Sequence, residues 1–288
     1  MMQLFDGILF SLAYVVVGFI ILILAKIILD LITPYNIDEH LTGKDNPALG
    51  LSVTGYFMGV IIIFLGACAG DEDIWEHLEN KAIISALLYD FLYALGGIVA
   101  LNIGRVVVDK AILRKFSTKK EILEDRNTGT GAVEFGCYIA TGLIVAGSIN
   151  GLGGGWLSAL VFFGLGQIAL ILFALFYQFI TKYDIHKEIE RDNVAAGVAM
   201  GAGMIAIGVI LFRATAGDFI SWTENLTQFS FFAVIGFLLL VVMRKVTDHV
   251  ILVKTSLEKE IAVDQNLAAA WLEGVVNIGM ATIIFFMI

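Results

Sequence analysis

Apolar residues in this chain fall in eight long runs, not in the stripes of a water-soluble helix. The runs cover 8–32, 47–68, 82–108, 131–149, 157–180, 194–214, 227–246 and 267–287. Runs of about 20 apolar residues match the hydrocarbon thickness of a bilayer at the helical rise. In lipid only helices and closed barrels satisfy every backbone donor and acceptor, and the alternating strands of about ten residues that build a barrel are absent. The pattern therefore predicts an all-α polytopic membrane protein of eight transmembrane helices with the lipid bilayer as its solvent. The first run has no basic start, with Asp6 its only early charge, and is too long for the apolar stretch of a cleavable signal.

The polar connections between runs repeat. Four of them end in an Asn close behind an Asp, in DNPALG from Asp45, DRNTGTG from Asp125, DNVAAG from Asp192 and DQNLAAA from Asp264. The Asn residues are Asn46, Asn127, Asn193 and Asn266. Asn is a favoured N-cap, an adjacent Asp complements the helix dipole, and Pro47 fits the first helical position. These four Asn residues are read as helix caps, with a polar ring in contact with a solute as the alternative.

Small residues follow each Asn at fixed distances. Two positions on stand Ala48, Gly129, Ala195 and Ala268; four on stand Gly50, Gly131, Gly197 and Ala270. Thirteen on stand Gly59, Ala140, Ala206 and Gly279. In lipid such faces let helix backbones approach closely, which predicts tight helix packing at all four copies.

ITPYNIDEHLTGKDN from Ile32 matches ITKYDIHKEIERDN from Ile180 with one residue deleted. At a constant offset of 139, Arg105 pairs with Arg244, Asp109 with Asp248, Asn127 with Asn266 and Glu134 with Glu273. The chain thus reads as two tandem four-helix transmembrane units, 1–149 and 150–288, each built from two helix hairpins. All four hairpins run the same way, so the repeats are parallel about an axis along the membrane normal. The Gly-rich NGLGGGW from Asn150 is a natural junction.

LFDGILFSLAYVVVGFIILI near the start, the ITPYN segment and the capped N-x-A-small helix start resemble the bacterial membrane family called domain of unknown function 350 (YjfL-like proteins). The resemblance covers essentially the whole chain, as two fused copies of a shorter member. It implies an inner-membrane helix bundle and brings no established activity, so no catalytic or binding residue is carried over. Relatives are often encoded beside PspA-like and glutathionylspermidine-synthase-like proteins, which implies a link to envelope stress or polyamine metabolism.

Composition agrees with the membrane reading: of 288 residues 59% are hydrophobic and only 16% charged, too few to cover a water-facing surface. Sixteen of the 18 Lys and Arg residues lie in the four Asn-ended connections or at the helix ends beside them, leaving only Lys81 and Arg213 opposite. By the positive-inside rule those connections are cytoplasmic and both termini are periplasmic or extracellular. Sixteen acids accompany the sixteen bases, so the loops are charge-balanced and nucleic-acid binding is disfavoured. The opposite face is acidic, above all in Asp71, Glu72, Asp73, Glu76 and Glu79; a solvated loop and a cation-gathering surface are both open readings. Trp75, Trp156 and Trp222 fit an aromatic belt on that side. Cys68 and Cys137 lie in apolar runs as packing residues.

Three acids remain inside apolar runs: Asp90, Glu134 and Glu273. A carboxylate at that depth must pair, protonate or face water. Glu134 and Glu273 each stand seven residues past their Asn, roughly 10 Å along the helix, and as symmetry mates they could converge as a cation- or proton-handling pair, with facing water or lipid the open alternatives. A structural, protonated or Asn-bonded Glu is the competing account. Asp90 has no symmetry mate and is flanked by Tyr89 and Tyr93, which suits a Tyr-bonded acid as well as an ion site. Asn102, Gln167 and Asn277 read as interhelical glue. Arg105 with Asp109, and Arg244 with Asp248, are spaced as surface ion pairs.

No nucleophile, nucleotide or metal motif is present, so no enzyme activity, metal or other cofactor is expected. Two readings stand: a cation or proton pathway (channel or transporter) through Glu134 and Glu273, or a non-transporting scaffold. The scaffold would dock a soluble cytoplasmic partner through Ile112–Asp125 and Ile251–Asp264. A homo-oligomer is compatible with either.

Overall fold

The computed structural model describes residues 2–69 and 80–287, so the acidic segment from Asp71 to Glu79, with Trp75, lies outside the described residues. Among the described residues eight helices are long and apolar enough to cross a membrane: Ser11–Ile32, Pro47–Cys68, Ile84–Ile112, Thr128–Ile149, Gly155–Ile180, Val194–Thr215, Trp222–Ile251 and Leu267–Met287. This is the all-α polytopic membrane architecture that the apolar runs imply. In chain order the α-helices are α1 (Met2–Ile32), α2 (Pro47–Cys68), α3 (Asn80–Val107), α4 (Thr118–Leu123) and α5 (Thr128–Ile149). Then come α6 (Gly155–Ile180), α7 (Ile185–Glu190), α8 (Val194–Thr215), α9 (Trp222–Val246) and α10 (Leu267–Met287). Helix α9 begins five residues before its apolar run, because Ser221 caps a polar first turn that hydropathy does not register.

Each capped connection makes one short helical turn and then a sharp reversal into the Asn. The turns are Glu39–Gly43, α4, α7 and Lys259–Val263; the first and last are π-helical. The residue before each Asn, namely Asp45, Arg126, Asp192 and Gln265, is left-handed, with φ of 48°, 54°, 59° and 48°. Left-handed non-glycine residues are uncommon, and recurrence at four equivalent positions marks a required reversal. The reversal is closed by the Asn main-chain N–H, which donates to the carbonyls of His40, Glu121, Glu188 and Glu260 respectively. In the third copy this ring is one residue shorter, which is the deletion visible between ITPYN and ITKYD. The wider turns elsewhere absorb the extra residue and return the Asn to the same place.

All four Asn residues are caps. Their Oδ1 atoms accept from the N–H of Leu49, Thr130 and Ala196, and in the last copy from Ala268 and Ala269. Their side-chain amides do a second job. Asn46 donates to the carbonyl of Ile122 (2.7 Å), Asn127 to Ile189 (2.6 Å) and Asn193 to Ile261 (2.8 Å). Each of the first three copies is thus stitched to the turn of the next one along the chain.

The helices that follow the caps pack in the same order, α2 on α5, α5 on α8 and α8 on α10. Close approach explains the glycines: a Cβ on Gly136 would collide with the backbone of Gly201, and one on Gly55 with that of Phe135. Helix α5 is as closely engaged with α8 as with α2, so the junction at Asn150 divides the sequence but not the packing. Helices α3, α6 and α9 lie over this row, α3 against α2 and α5, α6 against α5 and α8, and α9 against α8 and α10. Cys137 is buried and Cys68 partly so, both as free thiols.

Two expectations are corrected here. A methyl group added at Gly279 would have nothing within 4 Å, whereas one at Gly59 would meet Tyr138 and Leu101, so the close packing expected at the thirteenth position of all four copies is missing from the fourth. Arg244 does not pair with Asp248: Asp248 accepts from the Leu257 N–H, and Asp109 takes Lys110. The arginine turns inward instead.

Candidate functional site

The capping geometry fixes where the intramembrane acids stand. Glu134 rides on α5 two turns beyond Asn127, and Glu273 on α10 two turns beyond Asn266. They do not converge. Helix α8 lies between α5 and α10, and each glutamate faces its own arginine on an overlying helix, Arg105 on α3 or Arg244 on α9.

Glu134, 8% exposed, lines a cavity of about 310 Å³. The wall includes Ser52, Tyr56, Asn102, Arg105 and Tyr138 from the helices, and Tyr35, Thr118 and Lys119 from the capped connections. The cavity therefore reaches the capped side, and its size admits several waters or one small polar molecule. Ser52 and Arg105 stand close enough to Glu134 to interact with it, and Arg105 likewise with Tyr35. Asn102 donates to the Tyr56 hydroxyl at 3.1 Å and to the carbonyl of Ile98 at 2.8 Å, while its own Oδ1 is buried without a partner. Tyr56 meets Tyr138 edge-on, ring centres 6.1 Å apart. The result is a carboxyl, a guanidinium and three phenols around one space.

The equivalent place in the second unit is closed. Glu273 is 0% exposed, and Arg244 Nη1 donates to its Oε1 at 2.6 Å. The same nitrogen donates to the Tyr177 hydroxyl at 3.3 Å, with the guanidinium 5.6 Å from that ring. Oε2 of Glu273 is buried without a hydrogen-bond partner. Three replacements account for the difference. Counting from the capping Asn, Ser52 corresponds to Ala199, Tyr56 to Gly203 and Tyr138 to Asn277. Without a side chain at Gly203, Phe173 and Tyr177 approach to 3.1 and 3.8 Å of where its Cβ would stand. The polar wall of the first unit is thus replaced by a filled, paired site in the second.

The remaining acid is elsewhere. Asp90, buried in α3, accepts from the Tyr14 hydroxyl at 2.6 Å. It is a Tyr-bonded acid, but its partner comes from α1, whereas Tyr89 and Tyr93 beside it are exposed. The four capping Asn residues follow the row of helices and spend their polar groups on backbone and on Glu121, Glu188 and Glu260, so they do not line the cavity. Gln167 is buried on α6 with neither end of its amide hydrogen-bonded. Sequence reasoning missed Tyr35, Ser52, Tyr56 and Tyr138. One signal was available: Tyr35 and Tyr183 are the matched tyrosines of ITPYN and ITKYD.

No group of three or more His, Cys, Asp or Glu that could hold a metal ion occurs among the described residues. No solved structure matches the chain. A UPF0719 transmembrane protein from Aquifex aeolicus (strain VF5) is 25% identical over 238 residues, covering 81% of this chain and 83% of that protein. The family model described as Domain of Unknown Function (DUF350) matches twice, over residues 3–149 and 151–288. With two matches that together span nearly all of an eight-helix membrane chain, the protein belongs to the DUF350 family and carries two tandem copies of its domain.

Proposed function

We propose that the protein is a proton pathway in which Glu134 takes up and releases the ion from the capped side, while Glu273 serves as a fixed ion pair. The observation that carries this is the polar cavity at Glu134 set against the closed Arg244–Glu273 pair. A carboxyl that must exchange a proton needs water and hydrogen-bonding neighbours, and intramembrane acids so placed are the usual parts of proton relays. Hydroxyls of Tyr35, Tyr56, Tyr138 and Ser52 can each donate and accept, as a relay requires. Arg105 in the same wall repels a bare metal cation, which favours the proton over sodium or potassium. In this reading the capped side is the cytoplasm of a bacterial inner membrane, both termini are periplasmic, and the protein is not an enzyme.

Vesicles reconstituted with the protein and a pH-sensitive dye test the proposal. Wild type should dissipate a pH gradient, Glu134→Gln should not, and Glu273→Gln should keep the flux if it folds. Equal flux from wild type and Glu134→Gln would remove the assignment.

The scaffold reading has one observation in its favour. Beyond Tyr56 towards the far side, Val60, Ile63 and Ile98 are fully buried, so the cavity ends within the bundle. A pathway then needs a conformational change, whereas a scaffold docking a soluble partner through Ile112–Asp125 and Ile251–Asp264 does not. Absence of flux under every gradient, with loop substitutions that release a bound partner, would favour it.

A further inference from the structure

The stitching between copies has two open ends. Twice, the residue two past a capping Asn lies against the residue four past the next one, and at the third step both such residues are buried. Ala48 lies against Gly131 and Gly129 against Gly197, while Ala195 and Ala270 are both fully buried at the third step. The residue at nine meets the residue at eight of the next helix, as Gly55 with Phe135, Gly136 with Gly201 and Ala202 with Gly274. The residue at thirteen meets the residue at fifteen, as Gly59 with Gly142 and Ala140 with Gly208.

On α10 the leading half of this pattern is unused. Ala268 is exposed, Val275 is 66% exposed, Gly279 has nothing within 4 Å, and Phe286 is 71% exposed. On α2 the trailing half is unused: Gly50 has nothing within 4 Å, and Thr54, Ile61 and Leu65 are exposed. The amide stitch is open at the same end. Asn266 donates only to its own Glu260 among the described residues, and it is partly exposed where Asn46, Asn127 and Asn193 are buried. Its missing acceptor would be the carbonyl at the position of Ile122, Ile189 and Ile261, which in the first copy is Leu41.

We propose that α10 of one molecule docks on α2 of a second copy of this chain, continuing the internal repeat head to tail. Ala268 then lies on Gly50, the bulk of Ile61 fills the space over Gly279, and Asn266 reaches the Leu41 carbonyl. The occupant is another copy because the two free faces are the two halves of one interface already made three times within the chain. Val275 facing Thr54 replaces the small pairs inside the chain, so this contact is wider than the internal ones. A contact between unlike faces is heterologous, and successive steps within one membrane plane build a ring or an open row.

Disulfide trapping tests it. In a Cys68→Ala, Cys137→Ala background, Gly50→Cys and Ala268→Cys are introduced together and membranes are oxidised with copper phenanthroline. The expected result is a ladder of covalent dimers and larger species, absent from either single variant and restored as dimer when the two single variants are co-expressed. Ile61→Cys with Gly279→Cys supplies a second pair, and monodisperse elution of each variant controls for folding. Folded protein that cross-links through neither pair would overturn the proposal. So would dimers from Ala268→Cys alone, which would mean a two-fold contact of α10 with itself.

Discussion

Arg244 reaches from α9 to Glu273 on α10 with 2.6 Å between Nη1 and Oε1, and the carboxylate it holds is wholly buried. A pair of this kind is held by geometry, because the carboxylate has lost its hydration and the guanidinium most of its own. Removing one partner leaves the other charged and alone. Arg244→Leu should therefore cost about 3–5 kcal/mol, while Arg244→Leu with Glu273→Leu should recover most of the loss. Thermal unfolding in detergent reads this directly. Equal destabilisation by the single and double variants would show that the pair is not the cause.

The capping Asn residues should differ in weight although their sequence contexts match. Asn127→Ala loses a cap, worth about 1 kcal/mol, its bond to Glu121, and the stitch to the Ile189 carbonyl, worth about 0.5–1.5 kcal/mol because that carbonyl keeps the Asp192 N–H. Asn266→Ala loses the cap and a bond to Glu260 with no stitch to a neighbouring turn. The prediction is a clearly larger drop in melting temperature for Asn127→Ala than for Asn266→Ala, measured on the dispersed monomer.

His186 gives the capped side a pH dependence. It is buried in α7, and in the neutral tautomer that carries hydrogen on Nε2 it donates to the Ile112 carbonyl at 3.0 Å. Burial holds its pKa below the usual value near 6.5, aided by Lys115 and Arg114, and outweighs the Ile112 carbonyl and Asp184, which act the other way. The unfolded chain thus binds the proton more readily than the folded one. Stability is complete above the unfolded pKa and falls as pH drops through and below about 6.5. Melting temperature should decline from pH 7.5 to pH 5.5, and His186→Gln should flatten that part of the curve. An unchanged slope in the variant would assign the dependence to other groups.

Helix number, caps and repeats were legible in the sequence because each rests on local chemistry. A run long enough for the bilayer, an Asn before it and small residues at fixed offsets need no knowledge of neighbours. What escaped depends on the third dimension. Arg244 and Asp248 have the spacing of an ion pair, yet burial beside Glu273 draws the arginine inward. Gly279 matches Gly59 in sequence, yet only Gly59 has a following helix to receive it. The unequal fates of Glu134 and Glu273 turn in part on Ser52 against Ala199 and Tyr56 against Gly203, substitutions on helices that carry neither glutamate.

The asymmetry between the two units is the centre of this account, and solvent access at Ser52 and Ala199 measures it most directly. The two residues stand six positions past Asn46 and Asn193, one in the wall of the Glu134 cavity and the other fully buried in the closed unit. In the Cys68→Ala, Cys137→Ala background, Ser52→Cys and Ala199→Cys would each be exposed to a small charged methanethiosulfonate from the capped side of sealed vesicles. The account predicts that Ser52→Cys is modified while Ala199→Cys stays protected. Equal protection of both, or modification of Ala199→Cys as fast as Ser52→Cys, would contradict it.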